Sequence, residues 1–225
     1  MSIDRRTLLL GLGGAAALVG CSTSGSTPVS VVYEILDSYR ALERAKKQYP
    51  VTRADVDGQD LGVLGVQVEE GLKGFMLWSR RENGVDYWRS GNNVEMAIQN
   101  GRLIRTTGFP QDQLDSRVIS GAEPLGSVLD PSRRYEVRRQ LDYRVEPKSF
   151  EADYRLEYVR DVDVTLLEKS FRLAEWSETV RLPKTRRRWS QLIQVDRDSG
   201  QVWRSIQHIG PNTRVILELL KPPVI

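Results

Sequence analysis

In this 225-residue chain, the residues with chemistry of their own are one cysteine, one histidine and several short acidic and basic runs. Cys21 stands out. A thiolate is the strongest ordinary side-chain nucleophile, and it can take up an alkyl group as a stable thioether. A secreted domain with a lone cysteine cannot form an internal disulfide, so the thiol needs another use. Gly20, just before it, is small enough to leave the intervening peptide bond open to a peptidase. Cleavage there makes Cys21 the new N-terminus.

Catalytic chemistry has little to start from. A histidine-centred triad would have to use His208, in a predicted strand over Val202 to Ile209, and no Gly-x-Ser-x-Gly elbow occurs. A structural histidine is expected. One histidine and one cysteine do not make an ordinary zinc site. Asp55-Val56-Asp57-Gly58-Gln59-Asp60 invites a calcium reading, but Asp60 stands where the EF-hand loop needs Gly, and Val66 where it needs Glu. A solvated turn is expected there. The many Asp and Glu residues show no spacing that singles out a glycosidase pair. The expectation is therefore a protein that is not an enzyme, with no catalytic residue, metal or cofactor.

Binding chemistry is better supplied. Arginines cluster at Arg133-Arg134, Arg138-Arg139 and Arg186-Arg187-Arg188. On strands, about half of these share one face, and a guanidinium fork matches a carboxylate with two hydrogen bonds. Arg138 and Arg187 are the candidate ligands from these clusters. Five tryptophans offer flat surfaces for sugar rings, although most are expected to fill the core. Trp203 is the exception: it shares a strand parity with Ser205 and Gln207, opposite Val202 and Ile206, so Trp203 and Gln207 are predicted on a water-facing side.

The elements that must position these residues follow from the pattern. Arg5 and Arg6 precede Thr7–Gly20, a run with no charge that is shorter than the ~20 residues a membrane-crossing helix needs and suits a signal peptide. Its end, Leu18-Val19-Gly20-Cys21, resembles a bacterial lipobox. Residues 1–20 are read as the signal and 21–27 as a small polar tether. Export runs by the general route or, given Arg5-Arg6, by the twin-arginine route; Ser22 favours onward transport to the outer membrane. Removing Arg5, Arg6 and Asp4 leaves 31 basic against 29 acidic residues, a balance that argues against nucleic acid as a partner. Thr27 caps and Pro28 opens a predicted helix with an apolar stripe at Val32, Leu36 and Tyr39, ended by Tyr49-Pro50.

Beyond Pro50 the period changes to two. Tyr154, Leu156 and Tyr158 face away from Asp153, Arg155 and Glu157, and Trp176, Val180 and Leu182 face away from Ser177, Thr179 and Arg181. Turn residues such as Asn83-Gly84 and Asn100-Gly101 separate such runs. On the order of ten strands are expected. The fold class is mainly β: a large antiparallel meander sheet curled into a sandwich or open barrel, with an N-terminal amphipathic helix, all within one domain over 28–225. Charged outward positions exclude a porin-type barrel. Gly108 to Arg133 is predicted as a long, partly structured connection.

The segment Trp189 to Asp196, the turn Asp198-Ser199-Gly200 and the strand Gln201 to Ser205, followed by Gln207, Gly210 and Leu220-Lys221-Pro222, resemble the C-terminal part of the YjbF/GfcB lipoproteins, which are encoded with capsule and exopolysaccharide export genes. Asn100 to Thr106 looks like that family's central hairpin. The resemblance implies a β lipoprotein at the periplasmic face of the outer membrane, held by a lipid on Cys21, with an accessory role in making or exporting a surface polysaccharide. It brings no catalytic residues. With the arginine clusters, this makes an acidic polysaccharide or proteins of the export machinery the expected partners. An alternative remains open: a carrier enclosing an acyl chain in the curled sheet.

Overall fold

The structure, a computed structural model, describes residues 51–68, 73–91, 93–109, 111–144, 148–209 and 213–224. The signal, Cys21, the tether and the predicted helix after it lie outside these residues. The described chain starts with one helical turn, α1 (Arg53–Asp57), capped by Thr52. The Asp55 carboxylate accepts from the Thr52 backbone N–H and hydroxyl, both at 2.7 Å. Those hydrogen bonds hold its pKa below the ordinary value. Asp57 pairs with Arg53 and lies 3.5 Å from Lys169. Of the acidic run, Asp55 thus closes the cap of a helical turn and Asp57 pairs with Arg53 within it.

Twelve strands follow. The first five are β1 (Val63–Val68), β2 (Lys73–Glu82), β3 (Val85–Arg89), β4 (Glu95–Gln99) and β5 (Arg102–Thr107). Then come β6 (Gln113–Ser120), β7 (Tyr135–Tyr143), β8 (Lys148–Leu166) and β9 (Lys169–Leu182). The last three are β10 (Arg187–Val195), β11 (Val202–Ile209) and β12 (Thr213–Lys221). All pair antiparallel, in the order β5-β4-β3-β2-β1-β12-β11-β10-β9-β8-β7-β6. Each strand thus pairs with its neighbours in sequence, and β1 pairs with β12. The meander closes on itself except between β5 and β6, giving a nearly closed barrel. The predicted meander and open barrel are what the structure has.

Turn chemistry accounts for the hairpins. Asn83 and Gly84, and Asn100 and Gly101, all have positive φ, the backbone of the two-residue turn that matches strand twist. Gly101 has a second reason to be glycine: a Cβ there would lie 2.4 Å from the Val202 side chain.

Side chains, not a backbone ladder, close the β5–β6 seam. The Gln113 backbone N–H donates to Thr106 Oγ1 at 2.9 Å, and Gln113 Nε2 donates to the Leu103 carbonyl at 3.2 Å. Asp112 accepts from Thr106 Oγ1 and from the Gly108 and Phe109 N–H groups. The expected long connection over Gly108 to Arg133 is therefore interrupted: β6 lies inside it, and residues 121–134 fold back against the barrel. Leu125 and Leu129 pack there with Trp176, Ile193 and Val202. A Cβ on Gly126 would meet Asn100, and one on Gly200 would meet the Ser127 backbone.

Inward positions carry the core, with Leu64, Met76, Trp88 and Leu217 on one side and Val137, Tyr154 and Val180 on the other. On β10 to β12 the opposite face is buried too: Leu192, Ile206 and Ile216 are each 2% exposed or less. Such strands lose their alternation.

Candidate functional site

The outer surface of β7 to β10 is a charged checkerboard fixed by register. Cross-strand partners share a face. One row runs Arg138, Asp153, Arg181, Arg188; the next runs Glu136, Arg155, Thr179, Ser190. Arg138 Nε donates to Asp153 Oδ1 at 2.6 Å, and Arg155 Nε to Glu136 Oε1 at 2.9 Å. The hydrogen bond to Asp153 holds the Arg138 pKa above its ordinary value. Arg138, Asp153, Glu136 and Arg155 line a groove of about 550 Å³, together with Glu157 and Gly121. Arg181 and Arg188 line it too, and neither has a carboxylate within 4.0 Å among the described residues. Arg188 Nε is shut from solvent without an acceptor.

The interior holds a second charged cluster. Arg102 (β5) donates two bonds to Glu178 (β9), at 2.5 and 2.6 Å, and a third to Glu123 at 3.3 Å. Arg139 (β7) also pairs with Glu123 and bonds Ser116 of β6. Gln191 Nε2 donates to Glu178 at 2.8 Å. Burial opposes the charge on Arg102, yet the carboxylates of Glu178 and Glu123 outweigh it and hold its pKa well above the ordinary value. Burial likewise opposes the Glu123 carboxylate, and Arg102 and Arg139 pull it below the usual carboxylate range. This cluster fills space and holds walls together; its charges already have partners.

The residues singled out in the sequence are separated. Arg138 is in the groove. Arg187 is exposed but sits opposite Leu182 at the strand end, one position off the groove face that Arg188 occupies. Gln207 is a correction: it is 2% exposed, accepting from the Leu103 N–H at 2.9 Å and donating to the Gly101 carbonyl at 2.7 Å. Trp203 is half-buried, its ring 4.3 Å from that of Phe171. A register shift beside it leaves it without a partner on β10, so simple alternation mislocates this stretch. His208 is packed beside Trp189; burial, helped by the charge of Arg214, pulls its pKa down to about 3.

Of the groove residues, Arg188 belongs to the basic cluster whose neighbour Arg187 is the sequence candidate, and Arg181 is an outward position of an alternating run that nothing in the sequence marks for binding. What alternation lacks is the register that sets them side by side.

The matches with known proteins agree with this architecture. The family model described as group 4 capsule polysaccharide lipoprotein GfcB, YjbF matches residues 32–220. The chain belongs to that family. The uncharacterized lipoprotein GfcB of Escherichia coli (strain K12) is 23% identical over 213 residues, spanning 92% of this chain and 95% of that protein. The crystal structure of the hypothetical lipoprotein YmcC from Escherichia coli (K12) superposes with a TM-score of 0.67 at 21% identity, covering 85% of this chain and 97% of that one. That likeness shows a shared fold. In this YjbF-family chain the barrel is thus a family framework, on whose outer face over β7 to β10 Arg181 and Arg188 have no carboxylate partner among the described residues.

Proposed function

We propose that this protein is an accessory lipoprotein of capsule or exopolysaccharide production or export. A lipid on Cys21 anchors it at the periplasmic face of the outer membrane, where it acts by contacting glycan or a component of the export machinery. The observation that carries this reading is the capsule-lipoprotein family match over residues 32–220. The lipobox-like Leu18-Val19-Gly20-Cys21 supplies the anchor.

The interior speaks against the acyl-carrier alternative. An acyl chain needs an apolar cavity, whereas among the described residues the Arg102–Glu178–Glu123 cluster and the packed core lie in the lumen. The cavity between Trp88, Trp203 and Leu219 holds about 60 Å³, well below the 150 Å³ of an engineered cavity that binds benzene.

The test is made in the native host. Removing the protein is expected to lower surface polysaccharide, and Cys21→Ala is expected to move it from the membrane to the soluble fraction without restoring that level. Polysaccharide unchanged by removal would overturn the accessory role. A Cys21→Ala protein still in the membrane would overturn the anchor.

A further inference from the structure

Two guanidinium groups in the groove have no carboxylate partner among the described residues. Arg181 on β9 and Arg188 on β10 are directly opposite in the register, an arrangement that destabilises a sheet when the charges are alike. Elsewhere on this face arginine is neutralised: Arg138 bonds Asp153, Arg155 bonds Glu136, and Arg134 pairs with Glu157. Asp153 is also opposite Arg181, but the carboxylate turns to Arg138, bonding it at 2.6 Å. The row therefore reads plus, minus, plus, plus, with the unbalanced end at Arg181 and Arg188. Arg188 Nε is enclosed with no acceptor, so on that side too no protein group neutralises the guanidinium.

We propose that Arg181 and Arg188 form a binding site for a carboxylate-bearing sugar of an acidic glycan, with the Arg138–Asp153 pair flanking it. This rests on the glycan-associated role proposed above and names its ligand class and residues. Neighbouring strands lie about 4.8 Å apart, a spacing that lets two forks bear on one carboxylate, each through charge-assisted hydrogen bonds. The groove volume of about 550 Å³ falls within the ~300–1,000 Å³ of small-ligand pockets and suits a short stretch of sugar. An anionic bilayer is the poorer fit: Glu136, Asp153 and Glu157 line the same groove and would repel a continuous negative surface, whereas a glycan presents its charges singly between neutral hydroxyls.

The test uses the full-length lipoprotein in neutral detergent micelles, titrated with oligogalacturonate, with a neutral dextran oligomer of equal length, and with phosphatidylglycerol vesicles. The wild type is expected to bind oligogalacturonate in a salt-sensitive way and not dextran. Arg181→Ala/Arg188→Ala should weaken that binding at least tenfold, while the melting temperature holds or rises as the like-charge pair is removed. Arg172→Ala, on β9 but paired with Asp163 away from the groove, should bind as the wild type does. No binding of oligogalacturonate by the wild type, equal binding by the double variant, or arginine-dependent binding of the vesicles alone would each overturn the proposal. The surface-polysaccharide assay reads the wider role independently, so a dependence that persists when oligogalacturonate fails would sink the site and leave the role standing.

Discussion

Arg102 and Glu178 show what single residues contribute inside this barrel. Their side chains are 2% and 1% exposed and bonded through the two terminal guanidinium nitrogens. A buried pair gains little over a well-packed apolar pair, because desolvation offsets the Coulomb attraction, but removing one partner strands a buried charge at a cost of about 3–5 kcal/mol. Arg102→Met should therefore lower unfolding stability by about that amount in urea titrations. Arg102→Met/Glu178→Met should recover part of the loss. A loss under about 1 kcal/mol for the single variant would mean that the pair is solvated, not buried. The same geometry explains why Gln207 is not a surface ligand. Its amide satisfies open backbone groups at Gly101, in the turn before β5, and at Leu103 of β5, an edge with no ladder on that side.

At the scale of elements, the β8–β9 hairpin is the longest in the sheet, with 19 and 14 residues in its strands. Its turn is made without glycine: Leu167 and Glu168 have φ of 40° and 70°, a region costing an L-residue about 1–2 kcal/mol. Leu167 is held by packing against the Val164, Leu166 and Leu173 cluster, while Glu168 is exposed. Glu168→Gly should relieve strain at no cost in contacts and raise stability by about 0.5–1 kcal/mol, less the entropy glycine adds to the unfolded chain. A melting temperature that stays or falls would show that the turn is unstrained. This hairpin also marks the limit of what the sequence makes legible. Asn83-Gly84 and Asn100-Gly101 announce their turns by composition; Leu167-Glu168 does not, because packing overrides turn preference. Alternation over 153–158 and 176–182 placed core and surface correctly. It failed at Trp203, where the register shifts, and on β10 to β12, where both faces are buried. The pairings Arg181–Arg188 and Arg102–Glu178 depend on strand order and register, which no local pattern encodes.

At the scale of the whole molecule, the weak point is the seam. Twelve strands make eleven ladders, and the twelfth junction, between β5 and β6, relies on side chains. Glu123 is the central clamp: it pairs with Arg102 from β5 and with Arg139 from β7, while Arg139 also bonds the Ser116 carbonyl of β6. The two arginines overcome burial and keep the Glu123 pKa below its ordinary value. A carboxyl with a depressed folded pKa stabilises fully above its unfolded value, about 4.3, and that contribution is lost as pH falls through the folded pKa. The barrel should therefore loosen first at the seam in acid. Amide exchange, corrected for its intrinsic pH dependence, should speed up in β5 and β6 between pH 5 and pH 3 before it does in the β8–β9 hairpin, whose ladder is continuous apart from one shift beside Tyr158. Glu123→Gln should produce the same local loosening at pH 7, since an amide occupies the same space without the charge both arginines need. Exchange that rises together in all strands, or a Glu123→Gln protein with wild-type protection in β5 and β6, would show that the ladders alone hold the barrel shut.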